Sequence, residues 1–289
     1  MEKLIITAAL CGAGTTKAQT PYVPITPDEI AEDVVRVAKA GAAIAHIHVR
    51  DDAGKNTMST ERFVTVVEKV EAALEKEQLD VVLNLTTSGS AFSDEMRLAH
   101  LPVLKPEMCS FDPGSMNWAN SYVFLNSPKF LETLGTLTQT LAVKPEIEIF
   151  DGGMIQNVNY YVRKGDLKPP LHYQFVLGVS GGMPGNVESL AYLLPKLQPN
   201  STWSITGIGK SHLPMLLAGL AEGCNGLRVG LEDNIFLEKG VLATNAQLVT
   251  RAVKIAKLAG REIATAEEAR QILGLRRRPN KTKDCIYET

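Results

Sequence analysis

The chain has 289 residues, of which 45% are hydrophobic and 21% charged, enough to bury a full core as one large α/β domain or two small ones. A net charge of −2 leaves no broad electrostatic footprint for nucleic acid or an anionic membrane, and no apolar stretch approaches the roughly 18 residues of a membrane span. Four cysteines (Cys11, Cys109, Cys224 and Cys285) stand far apart with no CxxC pair, which indicates neither a disulfide framework nor a thiolate zinc site.

The N-terminus, Met1-Glu2-Lys3-Leu4, lacks the architecture of a signal peptide, so a reducing cytoplasm is the expected compartment. From there, short apolar runs alternate with amphipathic helical periodicity about eight times. Strand 4–9 precedes a helix over 27–38 opened by Thr26 as a cap; strand 43–49 precedes helix 59–74; strand 81–85 precedes a short helix, 94–100. Strand 108–111 is followed by helix 128–142, strand 147–150 by helix 154–163, and strand 173–177 by helix 187–197. Strand 203–205 leads to helix 213–223, and strand 226–231 to helix 244–259. In the fourth unit, 102–126 reads as a long loop with its own turns. Eight such units in about 250 residues fit a (β/α)₈ TIM barrel better than a doubly wound sheet. The expected organisation is one barrel over 1–275 and a C-terminal tail over 276–289, whose Arg276-Arg277-Arg278 run suits a solvated turn or a subunit contact.

The second strand ends on His46-Ile47-His48, and side chains two apart on a strand leave the same face. Both imidazoles would project from the strand's C-terminal end, two-thirds of a catalytic metal site that keeps a position open for water or substrate. Two hydrogen-bonded core histidines are an equal alternative for the pair alone. The best third ligand is Glu232 in Arg228-Val229-Gly230-Leu231-Glu232-Asp233-Asn234. On a strand, Arg228, Gly230 and Glu232 share one face, and Asp233 at the strand-to-loop junction can turn to the same cavity. Asp51 is the best guess for a partner that orients the histidines.

Barrel active sites gather at the C-terminal ends of the strands, where these residues fall. The same rim carries Thr86, Thr87 and Ser88 after strand three, Ser110 and Asp112 around strand four, and Glu148 and Asp151 around strand five. Two glycine-rich loops follow: Ser180-Gly181-Gly182-Met183-Pro184-Gly185 and Gly207-Ile208-Gly209-Lys210. A tight βα turn explains either, but backbone N–H groups of Gly181, Gly182 and Gly209 with the Lys210 ammonium can also hold a phosphate or carboxylate. Neither loop has dinucleotide or P-loop spacing. His100 and His172 read as surface or packing histidines, His212 as a helix-opening residue, and Trp118 and Trp203 as core fillers.

Five blocks in order carry a resemblance. They are Leu4-Ile5-Ile6-Thr7-Ala8-Ala9-Leu10-Cys11-Gly12-Ala13-Gly14 with Pro24-Ile25-Thr26-Pro27; Ala45-His46-Ile47-His48-Val49-Arg50-Asp51; Pro106-Glu107-Met108; Lys144-Pro145-Glu146-Ile147-Glu148; and Arg228 through Asn234. Together they resemble the β-keto acid cleavage enzymes, whose first described member cleaves 3-keto-5-aminohexanoate. The resemblance implies a zinc-dependent (β/α)₈ barrel that converts a 3-keto acid and acetyl-CoA into acetoacetate and a new acyl-CoA, and it points to a homo-oligomer. It makes His46, His48 and Glu232 the zinc ligands, and Asp233, Arg228 and the Thr86 hydroxyl the proton-transfer group. Ser110 becomes a substrate contact, with Thr87, Glu148 and Gly14 beside it, and acetyl-CoA is the co-substrate. The chemistry asks for these types: zinc stabilises enolate charge as a Lewis acid, and a carboxylate takes the proton between the two carbonyls.

One departure bears on the substrate. The aminohexanoate-cleaving member carries a glutamate where this chain has Gly14, so a 3-keto acid without the 5-amino group is expected. Two other readings use the same residues: a metal-dependent aldolase or acyl-CoA lyase on this barrel, and a metabolite-binding barrel without catalysis. Dependence of turnover on acetyl-CoA separates the first, and metal binding without any turnover would favour the second.

Overall fold

The computed structural model describes residues 2–278. Eight parallel strands close into a barrel: β1 (Ile5–Ala9), β2 (Ile44–Ile47), β3 (Val82–Leu85), β4 (Met108–Phe111), β5 (Lys144–Ile149), β6 (His172–Leu177), β7 (Thr202–Gly207) and β8 (Gly226–Val229). Each strand pairs with its neighbours in sequence, and β8 closes on β1 through Ile5 opposite Gly226 to Ala8 opposite Val229. Around it lie α1 (Pro27–Ala40), α2 (Thr60–Lys76), α3 (Asp94–Leu98), α4 (His100–Leu104), α5 (Pro128–Leu141), α6 (Gly152–Lys164), α7 (Val187–Leu193), α8 (His212–Ala221) and α9 (Asn245–Leu258). The fold is the (β/α)₈ barrel that the alternating pattern predicts. The Thr26 cap is a full capping box with Glu29.

Four local features differ from the pattern. The third helix is split in two at Ala99, and the long loop of the fourth unit contains a hairpin, Met116–Trp118 with Tyr122–Phe124. The eighth strand stops at Val229, earlier than predicted. Gly230 takes φ +150, and a Cβ there would lie 1.9 Å from the Ala9 carbonyl oxygen, so the chain must leave the sheet where β1 approaches. Finally, α10 (Ala266–Leu273) was not anticipated, although its Thr265–Glu268 capping box is a readable start signal.

α10 seals the barrel floor. Its Ala266, Ala269 and Leu273 pack with Ala264 against Ile5, Ile44, Val82 and Met108, the lowest inward side chains of the first four strands. Arg270 on this helix donates to Glu107 (2.5 Å) and to Asp80 (2.5 and 2.9 Å). Glu107 is 4% exposed, so removal of the cation strands a buried carboxylate at a cost of about 3–5 kcal/mol. Arg270→Met should therefore melt well below the parent in thermal circular dichroism. The sign with pH follows from Asp80: burial opposes ionisation, but the Arg270 hydrogen bond prevails and holds its carboxyl below the usual 3.8. That stabilisation is present above pH 3.8 and is lost as pH falls through the folded value, so the gap between the two proteins should narrow in acid. An equal gap at all pH values would contradict it.

In the basic run Arg276 and Arg277 are exposed, as a solvated turn would have them, and only Arg278 is largely covered. Arg277 pairs with Asp80 at 3.2 Å, and Arg278 reaches the Leu104 carbonyl at 2.9 Å and the Glu71 carboxylate. Residues 279–289, most of the predicted tail and Cys285 with it, lie outside the described residues. Cys11, Cys109 and Cys224 are buried free thiols. Among the described residues no helix is long and apolar enough to cross a membrane.

Candidate metal centre and active site

Barrel interiors are ordinarily packed with branched apolar side chains. Above the apolar floor this one is polar: Asn84, Ser110, Glu146, Glu148, Gln174, Ser204, Thr206 and Arg228 are all buried. Arg228 on β8 reaches across to Glu148 on β5 at 3.3 Å, and Asn84 on β3 donates to Glu146 at 2.6 Å. Such a set costs several kcal/mol to desolvate and is the mark of a site rather than of a core.

At the C-terminal mouth the predicted triad converges. The Nε2 atoms of His46 and His48 lie 3.7 and 3.4 Å from the two oxygens of Glu232, and one ligand atom from each residue falls within 4.8 Å of the others. Ligands about 2.05 Å from a tetrahedral zinc stand about 3.3 Å apart, close to this spacing. Burial, opposed by the Glu232 carboxylate, lowers His46 to about 3, so its imidazole is neutral and has a lone pair to give. Burial would raise Glu232, but His48, Arg228 and His46 carry it well below the usual carboxylate range. Its Oε2 has no hydrogen-bond donor among the described residues, a buried anionic oxygen that suits a cation. The donor set, two imidazoles and a carboxylate with an open side, fits a zinc ion.

Glu232 arrives by a different route from the predicted one. It sits in a turn after Gly230, where the Asp233 and Asn234 amides both donate to the Gly230 carbonyl (3.1 and 3.0 Å). Asn245 holds this turn from α9: it accepts from the Leu231 amide at 2.8 Å and donates to the Leu10 carbonyl at 2.9 Å. Asp233 is thereby brought onto Arg228, whose Nε and Nη2 donate to it at 3.0 and 3.2 Å, while Thr206 donates at 3.2 Å. Arg228 Nη2 also donates to Glu232 at 2.8 Å. In the folded chain, burial outweighs Arg228, Glu232 adds to burial, and Asp233 lies above its ordinary value.

Glu146 was not among the predicted site residues. It lies 4.0 Å from His46 Nδ1, and burial, opposed by Arg228 and Asn84, raises it to about 7. Its alternation with Glu148 in Glu146-Ile147-Glu148 was the signal, since both must face inward. Burial also lifts Glu148 well above the usual range despite Arg228, and raises Asp112 despite a 2.6 Å hydrogen bond from Ser88. Glu146, Glu148, Glu232 and Asp233 crowd the one Arg228 guanidinium at 2.8–4.0 Å, an excess of acid that either protons or a divalent cation must offset.

Thr86 is buried and accepts from the Ser88 amide at 2.9 Å, which leaves its own hydroxyl proton to donate. Thr87 and Ser110 are turned to each other: the Thr87 amide donates to Ser110 Oγ and its hydroxyl to the Ser110 carbonyl, both at 2.9 Å. Gly14 is exposed on the loop after β1. Gly181 and Gly182 have a packing reason, since Cβ atoms there would come within 1.9 Å of the Asn117 carbonyl and 2.7 Å of the Phe150 carbonyl. Gly209 donates to the Asp233 carbonyl at 3.0 Å, and Lys210 beside it is exposed. Asp51 does not serve the histidines; its Oδ1 accepts from the Ala53 and Lys55 amides in its own turn (2.9 and 2.8 Å). His100 stacks on Phe63 with centroids 4.0 Å apart, His172 bonds Thr202 at 2.9 Å, and His212 accepts from Arg251 at 3.0 Å. All three are buried.

Against known proteins, a family model described as beta-keto acid cleavage enzyme matches residues 3–275. The chain is 40% identical over 278 residues to a 3-keto-5-aminohexanoate cleavage enzyme of Fusobacterium nucleatum subsp. nucleatum, covering 96% of this chain and 100% of that one. It is 35% identical over 299 residues to the 3-dehydrocarnitine:acetyl-CoA trimethylamine transferase of Rhizobium meliloti, covering 96% and 98%. Among solved structures, apo ObcA superposes with a TM-score of 0.76 at 24% identity, covering 90% of this chain and 66% of that one, a likeness of fold.

Proposed function

The chain belongs to the beta-keto acid cleavage enzyme family, and from that premise we propose that it is a zinc-dependent acyltransferase converting a 3-keto acid and acetyl-CoA into acetoacetate and a new acyl-CoA. The observation that carries this reading is the convergence of His46, His48 and Glu232 directly over the Arg228–Asp233 pair at the barrel mouth. His46, His48 and Glu232 hold the zinc, which supplies Lewis-acid polarisation of the keto acid's oxygens when bound. Asp233 removes the proton from the methylene between the two carbonyls, and its elevated pKa makes it a stronger base than an exposed aspartate. Arg228 aims that carboxylate, and the Thr86 hydroxyl donates a proton to developing oxyanion charge. The carbanion attacks the acetyl thioester and CoA leaves as the thiolate; that thiolate adds to the original ketone carbonyl of the condensed product, and the carbon–carbon bond breaks in a retro-Claisen step that gives the new acyl-CoA and an acetoacetate carbanion, which takes back the proton held by Asp233. Ser110, Thr87 and Glu148 line the keto acid's end of the cavity, while Lys210 and the Gly181 amide receive the coenzyme's anionic part; the expected Gly182 and Gly209 amides are already committed to the Val179 and Asp233 carbonyls, both at 3.0 Å. The whole barrel, 1–275, is the catalytic unit, acting in the cytoplasm as a homo-oligomer.

The test is an assay of zinc-loaded protein with acetyl-CoA and a panel of 3-keto acids, with products read by mass. Acetoacetate that forms only when both substrates are present supports the reading. Cleavage without acetyl-CoA would replace it with a lyase.

The preferred 3-keto acid lacks a 5-amino group. Gly14 sits in ordinary backbone, and a Cβ there would meet nothing within 4 Å, so a glutamate can be introduced without strain. A carboxylate paired with an ammonium contributes about 1.5–3 kcal/mol, or roughly ten- to hundredfold in selectivity. Gly14→Glu should therefore shift the kcat/KM ratio toward 3-keto-5-aminohexanoate over its unsubstituted analogue by that factor. A parent enzyme that already prefers the amine strongly would overturn the substrate assignment.

A further inference from the structure

Arg50 lies just past the histidine pair, 2% exposed, and its hydrogen bonds go to main-chain carbonyls rather than to a carboxylate. Nε donates to Gly12 at 2.9 Å, Nη1 to Gly54 at 3.0 Å, and Nη2 to Cys11 at 3.1 Å and Thr15 at 3.0 Å. A guanidinium buried in this way is costly unless its fan of donors is used in full, and here it fastens the 11–15 loop to the chain that follows His48.

What the loop touches gives this arrangement its meaning. A Cβ on Gly12 would lie 2.6 Å from Glu232 Cγ, so the Gly12 backbone is the wall against which that side chain rests. Thr15 Oγ1 donates to the Leu231 carbonyl at 2.8 Å, which ties the loop to the residue before Glu232. Cys11 Sγ reaches the His48 carbonyl at 3.5 Å. Arg50 is thus connected through one short loop to both sides of the convergence, although it contacts none of the reacting groups.

We propose that Arg50 is a positioning residue: by holding the carbonyls of Cys11, Gly12 and Thr15 it presses the 11–15 loop onto Glu232 and sets that carboxylate's aim at the His46 and His48 imidazoles. The inference rests on the metal reading above. Lysine cannot substitute, because a single ammonium on a flexible stem reaches at most part of this set of carbonyls.

The experiment measures zinc affinity of the full chain by competition with a chromophoric chelator, beside steady-state kinetics and thermal melts, for the parent, Arg50→Lys, Arg50→Met and Thr15→Val. Groups that orient metal ligands are worth about 10- to 100-fold in metal affinity. The expected result is a loss of that size in both Arg50 variants and a smaller loss in Thr15→Val. kcat should fall in the same order, while the KM for acetyl-CoA stays within about threefold. Variants that bind zinc like the parent, or losses that follow only the drop in melting temperature, overturn the proposal. If neither Arg50 variant folds, Thr15→Val decides, since it removes one hydroxyl between the loop and Leu231: unchanged zinc affinity overturns the inference and a weakened one supports it. A parent that binds no zinc refutes the metal reading and this inference with it, whereas a zinc-binding parent with indifferent variants refutes this inference alone.

Discussion

Glu232→Gln is expected to abolish zinc binding and turnover together while leaving the barrel folded. The substitution keeps the shape of the side chain and its contact with Gly12, but it replaces the one carboxylate that, among the described residues, faces both imidazole Nε2 atoms. Arg228 keeps Asp233 and Glu148 as partners, so no buried cation is stranded and the melting temperature should hold. Loss of a direct ligand must exceed the roughly 10- to 100-fold that orienting groups are worth in metal affinity. Lewis-acid stabilisation contributes several kcal/mol, and about 4 kcal/mol corresponds to a thousandfold in rate. Zinc content by mass spectrometry after dialysis and kcat/KM for acetoacetate formation are the two readouts. A variant that keeps stoichiometric zinc, or loses less than about tenfold in kcat/KM, would remove Glu232 from the ligand set.

The legible part of this site is the part that follows strand periodicity. His46 and His48 two apart on an apolar strand must share a face, and the barrel pattern places them at the rim. The path of Glu232 was not legible in the same way. Its strand ends early because Gly230 must make room for the Ala9 carbonyl, a contact between residues more than two hundred positions apart. Glu146 lies one inward position below Glu148, in the layer beneath the rim where a barrel ordinarily carries apolar side chains, although Glu146-Ile147-Glu148 has the same inward alternation as the histidines. Arg50 and Gly12 show a deeper limit. Nothing in Val49-Arg50-Asp51 says that the guanidinium will gather carbonyls from residues 11–15, because that depends on how a loop after β1 folds against the end of β2. α10 was readable from its capping box, yet its role as the barrel floor depends on which alanines meet Ile5, Ile44, Val82 and Met108.

Asp233→Asn separates proton transfer from metal binding. Asp233 touches Arg228 and Thr206 rather than the imidazoles, so the variant should retain zinc with parental affinity. It should lose about 10²- to 10⁴-fold in kcat, the range attributable to a positioned general base. The pH profile gives the sharper test. The base is active when ionised, and burial, helped by Glu232 and opposed by Arg228, sets its pKa above the ordinary aspartate value. In the parent, kcat/KM should rise with pH through that elevated pKa and then level; in Asp233→Asn the acid limb assigned to this group should vanish along with most of the rate. Glu146 is raised too, to about 7, and its titration would survive in the variant, so any limb that persists unchanged belongs to a different group. An Asp233→Asn protein that loses less than about threefold in kcat and keeps the parental profile would move the base elsewhere, with Glu148 the next carboxylate within reach of Arg228.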